Sequence, residues 1–263
     1  MKTEVKYSSD LTNRQWQLIR QLLPRRARLG RRPIDRRRII NAILYVVRSG
    51  CQWRMLPRDF PNWNTVYGVF WRWRDDGTWQ KIHDALRAKA RRAVGKKSTP
   101  TVAIVDSQSI RTAEGGEDRG YDAGKKITGR KRHLAVDTLG LVLAVVVHTA
   151  DLQDHDGVLF VFKRLEAAFT RLKVVFADGA YGRNALPAWV QATFGWILQT
   201  VLRPVNAQGF VVLPKRWIVE RTFAWISRCR RHSKDYERNP ETSEAMIHLA
   251  MINLMSRRLQ KAL

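Results

Sequence analysis

Acidic residues, cysteines and long apolar runs are all scarce in this sequence. Only 23 Asp and Glu stand against 48 Lys and Arg, a net charge of +25 over 263 residues, and such an imbalance points to a polyanionic partner. The two cysteines, Cys51 and Cys229, lie far apart with no CxxC pair or Cys/His cluster, which excludes a disulfide framework and a structural zinc site. Each reads as a small buried apolar residue. The longest apolar stretches, Leu139 to Val147 and Ile43 to Val47, are too short to cross a bilayer, and the first thirty residues hold nothing like a signal peptide. A cytoplasmic protein with no membrane partner is expected. A nucleotide loop is missing too: three residues rather than four separate Gly120 from Gly124-Lys125, and Lys126 stands where Ser or Thr is required. No nucleotide cofactor is implied.

What is present is core material. At 44% hydrophobic, with ten Trp, nine Phe and six Tyr, the chain has far too much apolar surface for a disordered basic tail. Residues 1–98 hold 24 basic and 7 acidic side chains, +17, whereas residues 99–263 hold 24 and 16, +8. A basic stretch broken by Gly and Pro, from Arg91 to Pro100, separates the two and reads as a linker. Two domains are expected, 1–98 and 99–263.

The first reads as all-helical. Thr12 can cap a helix carrying Trp16, Ile19, Leu22 and Leu23 as far as Pro24. After the arginine-dense run Arg25 to Arg32, Pro33 suits the first turn of a second helix that ends at Ser49-Gly50. A third, from about Asn64 to Asp75, sets Val66, Phe70 and Trp73 on one side and Arg72 and Arg74 off it. Three short helices of this kind form a plausible helix-turn-helix module, the third helix entering a major groove while the Arg25 to Arg38 segment, with Arg36, Arg37 and Arg38, holds phosphates. The competing reading is a small bundle with a solvated basic face.

The second part is an α/β sequence. Strands are expected at 101–105, 134–136 and 141–148, with Asp137 to Gly140 as a hairpin turn, then a helix at 154–169, a strand at 173–177, a helix at 184–192, a strand at 196–202 and a helix at 215–228. The first three strands can pair antiparallel, and later ones can join beside the first through helical crossovers. The segment Arg119 to His133 holds Lys125, Lys126, Arg130, Lys131 and Arg132 among three glycines and reads as a basic loop suited to phosphate.

Asp106 follows the apolar run TVAIV and Asp178 follows KVVFA, so both carboxylates are expected at the carboxyl ends of buried strands, where an α/β sheet places ligands. Glu220 falls within a mostly apolar helix, which argues against a merely solubilising charge; an ion pair with Arg216 or Arg221 is the alternative. Two Asp and one Glu so placed could hold two hard metal ions for phosphodiester chemistry, with Arg216 and, if the helix continues, Arg231 at nearby phosphates. Asp137 suits its turn, Asp154 and Asp156 suit a helix start, and His133, His148 and His155 show no metal-ligand spacing.

Three segments, VDSQSI around Asp106, FADGAYGR around Asp178 and RWIVERTFAWISRCRRHSKDYERNPETSEAMI around Glu220, resemble the bacterial insertion-sequence transposases of the five/four superfamily. The resemblance extends from LTNRQWQLIRQLLP to LAMINLMSRRL. Asp178, Gly179, Tyr181 and Arg183 meet the family's DGxYxR pattern in full. Of the signature around the glutamate, Arg216 and Glu220 match, whereas Leu213 replaces a Tyr and Ser227 a Lys, with Arg228 or Arg231 to supply the missing charge. The resemblance implies a ribonuclease-H-like mixed sheet with flanking helices, a triad of Asp106, Asp178 and Glu220 holding two Mg²⁺ ions, with Mn²⁺ as a substitute, and contact of Arg183 with DNA. It further implies cleavage at the ends of an element, transfer of the freed 3′-hydroxyl to target DNA, recognition of terminal inverted repeats in double-stranded DNA, a homo-oligomeric synaptic complex and a place at the bacterial nucleoid. A catalytically inactive, domesticated DNA-binding descendant is the alternative, and a tyrosine recombinase using Tyr236 beside Arg230, Arg231 and His232 is a third reading.

Overall fold

The computed structural model describes residues 6–25, 34–113, 116–182, 185–201 and 215–262. The chain forms two compact units. The first comprises Met1–Lys96, Ile226–Ser233 and Ala245–Leu263; the second comprises Lys97–Trp225 and Lys234–Glu244.

Four helices open the first unit: α1 (Asn13–Arg20), α2 (Arg36–Ser49), α3 (Trp63–Asp75) and α4 (Thr78–Ala93). Thr12 caps α1 in a full capping box with Gln15. The cap of α2 is Asp35, whose carboxylate accepts from the Arg37 N–H at 2.9 Å; the helix therefore starts at Arg36 rather than at Pro33, which lies outside the described residues. Ile39, Ile40, Ala42, Ile43, Leu44, Val46 and Val47 are all buried, and Gly50 ends the helix at φ 74°. As expected, Val66, Phe70 and Trp73 form the buried side of α3.

The link from α2 to α3 runs over residues 50–62 and contains a 3-10 turn, Trp53–Met55. A helix-turn-helix uses three or four residues there, so α2 and α3 do not form one as the sequence suggested. The tight corner is Asp76-Gly77, between α3 and α4, with Gly77 at φ 72°. Helix α4 occupies residues that the sequence reading assigns partly to a linker; it is held by the Trp79 ring, whose Nε1 donates to the Phe70 carbonyl at 3.1 Å.

The second unit is built on a six-stranded mixed sheet: β1 (Val102–Arg111), β2 (Gly120–Asp122), β3 (Ile127–Val136), β4 (Val142–Thr149), β5 (Val174–Asp178) and β6 (Ile197–Val201). Along it the order is β2-β3-β1-β5-β6, with β4 also on β3. Strands β1, β3 and β4 pair antiparallel, and β5 and β6 join parallel to β1 through α5 (Asp154–Ala168) and α6 (Leu186–Phe194). The antiparallel start and the helical crossovers are as expected, and the short strand β2 is an addition to them. Strands β1 and β3 are longer than their apolar runs, because Ser107, Gln108 and Ser109 continue the ladder opposite His133, Arg132 and Lys131. The basic segment 119–133 is thus mostly hairpin, not loop.

Alternation along β1 sends Ala103 and Val105 into a core with Ala135, Val158, Val161, Phe162, Leu165, Val175 and Ala177, beneath α5. Ser107 follows them on that face. Ile104 and Asp106 point to the opposite face, which is covered in part by α7 (Arg216–Ser227). A last helix, α8, spans Pro240–Ala262; the sequence reading did not identify it.

Candidate active site

Strand β5 pairs with β1 through Val102↔Val174 and Ile104↔Phe176. Continuing that register by two residues sets Asp106 level with Asp178, the last residue of β5. The two carboxylates are therefore neighbours on adjacent parallel strands, although Asp106 lies within β1 rather than at its end. Each is oriented the same way. The Ser107 N–H donates to Asp106 Oδ1 at 2.8 Å, and the Ala180 N–H donates to Asp178 Oδ1 at 2.9 Å.

Glu220 arrives on α7, whose position is fixed by the turn between β3 and β4. The Thr222 hydroxyl donates to the Gly140 carbonyl at 2.9 Å, and Arg221 Nη2 donates to the Leu139 carbonyl at 3.2 Å. Gly140 sits at φ 78°, and a Cβ there would lie 2.8 Å from the Trp225 ring and 2.9 Å from Thr222 Oγ1, so the helix packs this closely only against glycine. Arg221 is stacked between Trp217 and Trp225, 4.5 Å from each ring centroid. Helix α7 is less buried than its sequence suggested: Ile218, Val219, Thr222, Phe223 and Ile226 face inward, while the Glu220 side chain is 49% exposed.

These elements converge on one cation. Arg216 Nη2 stands 3.9 Å from Asp106 Oδ2, 3.8 Å from Asp178 Oδ2 and 3.6 Å from Glu220 Oε1. Three hard oxygen donors are aimed at a single positive charge, a donor set of the kind that suits Mg²⁺ or Mn²⁺. Among the described residues no three His, Cys, Asp or Glu side chains are gathered tightly enough to hold an ion as they stand, since the carboxylates are spread around the larger guanidinium. Burial pushes the Asp106 carboxyl up to about 6, against the relief given by the Ser107 N–H and Arg216, and the neighbouring charge of Asp178 adds to the rise. Charge neutralisation is what this site requires.

Two family models match the chain that carries this site. Residues 97–255 match the model described as "Transposase DDE domain", and residues 11–83 match the one described as "Putative transposase of IS4/5 family". The chain belongs to the IS4/5-family DDE transposases. An insertion element IS402 uncharacterized 16.2 kDa protein from Burkholderia cepacia is 35% identical over 114 residues, covering 40% of this chain and 75% of that protein. No helix among the described residues of this DDE-family chain is long and apolar enough to cross a membrane.

The basic residues expected to hold DNA fall into two groups. Arg38, Arg72, Lys125, Lys126 and Arg228 are exposed; Lys125 is near enough for its charge to be felt at Asp106. Arg36 is half-buried, its Nη1 donating to the Pro24 carbonyl and its guanidinium over the Trp73 ring. Arg74, also half-buried, pairs with Asp75 at 2.8 Å and covers Trp71.

Arg37, Arg130, Lys131, Arg132 and Arg231 are instead buried. Arg37 donates to the Leu11 carbonyl and to Asn13 Oδ1. Arg130 serves the carbonyls of Glu117, Asp118, Glu237 and Arg238, and Arg132, drawn down to about 10 by burial, reaches the Lys234 carbonyl. Arg231 donates to the Cys51 carbonyl at 3.2 Å; it lies beyond the end of α7 in a 3-10 turn, not on the face of Glu220. Their hydrogen bonds are structural, and their burial takes them off any DNA-facing surface. Arg183 and Leu213 lie outside the described residues. Of the cysteines, Cys229 is buried as expected and Cys51 only half so; both are free thiols.

Sequence reading missed a polar group on the reverse face. Asp154 does not cap α5: the cap is Gln153, and Asp154 accepts from the Ser107 hydroxyl at 2.9 Å and from Lys131 Nζ at 3.1 Å. Burial works against the ionised Asp154, but Ser107 and Lys131 outweigh it and hold its carboxyl below the usual range. His133 and His148, separate in sequence, are hydrogen-bonded at 2.7 Å, and His133 Nε2 meets Tyr181 Oη at 3.0 Å. The signal available in the sequence was the β3–β4 hairpin, whose register sets His133 beside Val146 and two residues from His148.

Proposed function

We propose that this chain is an active DDE transposase that binds the terminal inverted repeats of an insertion sequence, cuts the DNA at those ends and joins them to target DNA. The observation that supports this reading is the convergence of Asp106, Asp178 and Glu220 on the guanidinium of Arg216. Asp106, Asp178 and Glu220 would hold two divalent ions. When bound, the ions supply the Lewis acidity that activates water for cleavage and then the freed 3′-hydroxyl for transfer. The chain's own groups do the rest. The Ser107 and Ala180 N–H groups keep one oxygen of each aspartate occupied and the other aimed at the common point. Arg216, displaced from the carboxylates, remains within reach of them and is placed to hold the phosphate being attacked. Strand transfer replaces one phosphodiester by another, so the chemistry needs no nucleotide cofactor.

Residues 1–98, at +17, serve in this reading as the DNA-binding module and residues 99–263 as the ribonuclease-H-like catalytic domain; two or more protomers would bring the element ends together. Exposed Arg38, Arg72, Lys125, Lys126 and Arg228 are the cations available for phosphates. The tyrosine recombinase reading loses support, because Arg231 and His232 are buried and spend polar groups on the Cys51 and Met246 carbonyls.

The test is cleavage of duplexes that carry the element's ends, in Mg²⁺ or in EDTA, by wild type and Glu220→Gln. Cutting is expected only for wild type in Mg²⁺. A variant that cuts as well as wild type removes Glu220 from the site.

A further inference from the structure

Directly behind the two aspartates, on the α5 face of the sheet, the second unit gathers buried and half-buried polar groups from β1, β3, β4, α5 and the 3-10 turn Gly179–Gly182. Starting at β4, His148 Nδ1 donates to the Thr149 carbonyl at 2.8 Å. A carbonyl can only accept, so in neutral His148 the other nitrogen, Nε2, is an acceptor. His133 Nδ1 then donates to it at 2.7 Å, which leaves His133 Nε2 to accept from the Tyr181 hydroxyl at 3.0 Å. Burial foremost, and then His148, holds His133 down at about 3, so the neutral pair is the form present. The direction of every hydrogen bond in this arm is thereby fixed. Gly157 of α5 packs on the pair so closely that a Cβ would come 2.5 Å from His148 Nε2 and 2.7 Å from His133 Cε1.

The second arm runs from β3 through the start of α5 to β1. Lys131 Nζ donates to the Leu152 carbonyl at 2.7 Å and pairs with Asp154 at 3.1 Å, and Asp154 accepts from Ser107 Oγ at 2.9 Å.

What the arms end on is decisive. One ends at Ser107, whose backbone N–H orients Asp106; the other ends at Tyr181, the residue after Ala180, whose N–H orients Asp178. In both cases the N–H holds Oδ1 and the free Oδ2 faces the cation point at 3.8–3.9 Å. A hydroxyl anchored on one face of the chain thus sets the direction of a carboxylate on the other. We infer that Ser107 and Tyr181, anchored by Asp154 and by the His133–His148 pair, are positioning residues that aim the Asp106 and Asp178 carboxylates at the cations they are to hold. The inference rests on the proposed role of those aspartates as metal ligands.

Outer hydrogen bonds of this kind are typically worth 10–100-fold in metal affinity. The experiment is Mn²⁺ binding to the full chain, read by the loss of the free-ion electron paramagnetic resonance signal, for wild type, Ser107→Ala, Ser107→Thr, Tyr181→Phe and Asp178→Asn. Ser107→Ala and Tyr181→Phe should each weaken Mn²⁺ binding about tenfold or more, while Ser107→Thr, which restores a hydroxyl on a strand residue, should stay near wild type. Far-ultraviolet circular dichroism and duplex binding in EDTA should be unchanged in all of them, and cleavage by the two weakened variants should recover as Mn²⁺ is raised. If Asp178→Asn loses Mn²⁺ but Ser107→Ala and Tyr181→Phe bind it like wild type, the positioning role is wrong and the metal site stands. If Asp178→Asn itself binds Mn²⁺ like wild type, the metal site falls and the positioning role with it.

Discussion

Replacing Asp106 with Asn should stabilise the protein at neutral pH while abolishing its chemistry. Burial, foremost, lifts the folded carboxyl to about 6 from 3.8. Between about pH 4 and 6 the unfolded chain has therefore released this proton and the folded chain still holds it, so rising pH works against the fold through that window. The difference of about 2 pH units, at about 1.4 kcal/mol each, makes ionised Asp106 a burden of about 3 kcal/mol that is complete above about pH 7 and absent below about pH 4. Asn has the same shape and no proton to lose. Urea denaturation in EDTA should show the two proteins equally stable near pH 4 and the variant ahead by about 3 kcal/mol at pH 7.5, a midpoint shift of roughly 1–2 M at ordinary urea slopes. Ten-millimolar Mg²⁺ should then narrow the gap by stabilising wild type alone, as mass action requires of a ligand that binds only the native form. A gap that is flat with pH, or a variant less stable than wild type at pH 7.5, would refute the account of Asp106 as a carboxylate kept ionised at a cost.

Arg216→Gln should weaken the metal-free protein by about 1–2 kcal/mol, because it leaves three acids facing one another, and added Mg²⁺ should return most of that deficit in a thermal melt. Gly157→Ala should cost about 1–3 kcal/mol through overpacking on the histidine pair, seen as a lower urea midpoint. Arg130→Met should cost about 3 kcal/mol or more by stranding its carbonyl partners and the buried Asp235 carboxylate, whose Oδ1 lies 3.5 Å from Arg130 Nη1, yet leave the salt dependence of duplex binding untouched. Lys125→Ala with Lys126→Ala should do the reverse, reducing the slope of log affinity against log salt by about 0.9 for each phosphate no longer neutralised, with an unchanged melting temperature.

Much of the fold could be read from local pattern. Thr12, Val66, Phe70 and Trp73 behave as their spacing requires, and apolar runs located β1, β4 and β5. The closeness of Asp106 and Asp178 was legible because each follows such a run. Misreadings arose where partners distant in sequence decide. Arg130 and Arg132 look like a phosphate-binding surface until residues 234–238 arrive over them; no local pattern shows that those carbonyls will be there. Polar residues at 107–109 seemed to end β1, yet the ladder continues because the opposite strand offers its own polar residues in register. Asp154 opens α5 as its position suggests, yet its carboxylate is engaged by Ser107 and Lys131, which the local pattern does not show. The argument from Glu220 held only by half: its helix is apolar on one face, and the glutamate lies at the margin, beside Arg216.

The place of Arg216 has a thermodynamic consequence. A site whose three acids already share a fixed positive charge is an exchanger, not a hole: an incoming ion must evict a cation rather than occupy a vacancy. Any group that lowers the free energy of the evicted guanidinium, a DNA phosphate above all, raises the apparent affinity for the ion, and by reciprocity the ion raises the affinity for that phosphate by the same factor. On the proposed function, such a chain would hold its metals loosely without DNA, and its most hazardous chemistry would be confined to the moment when a strand is in place.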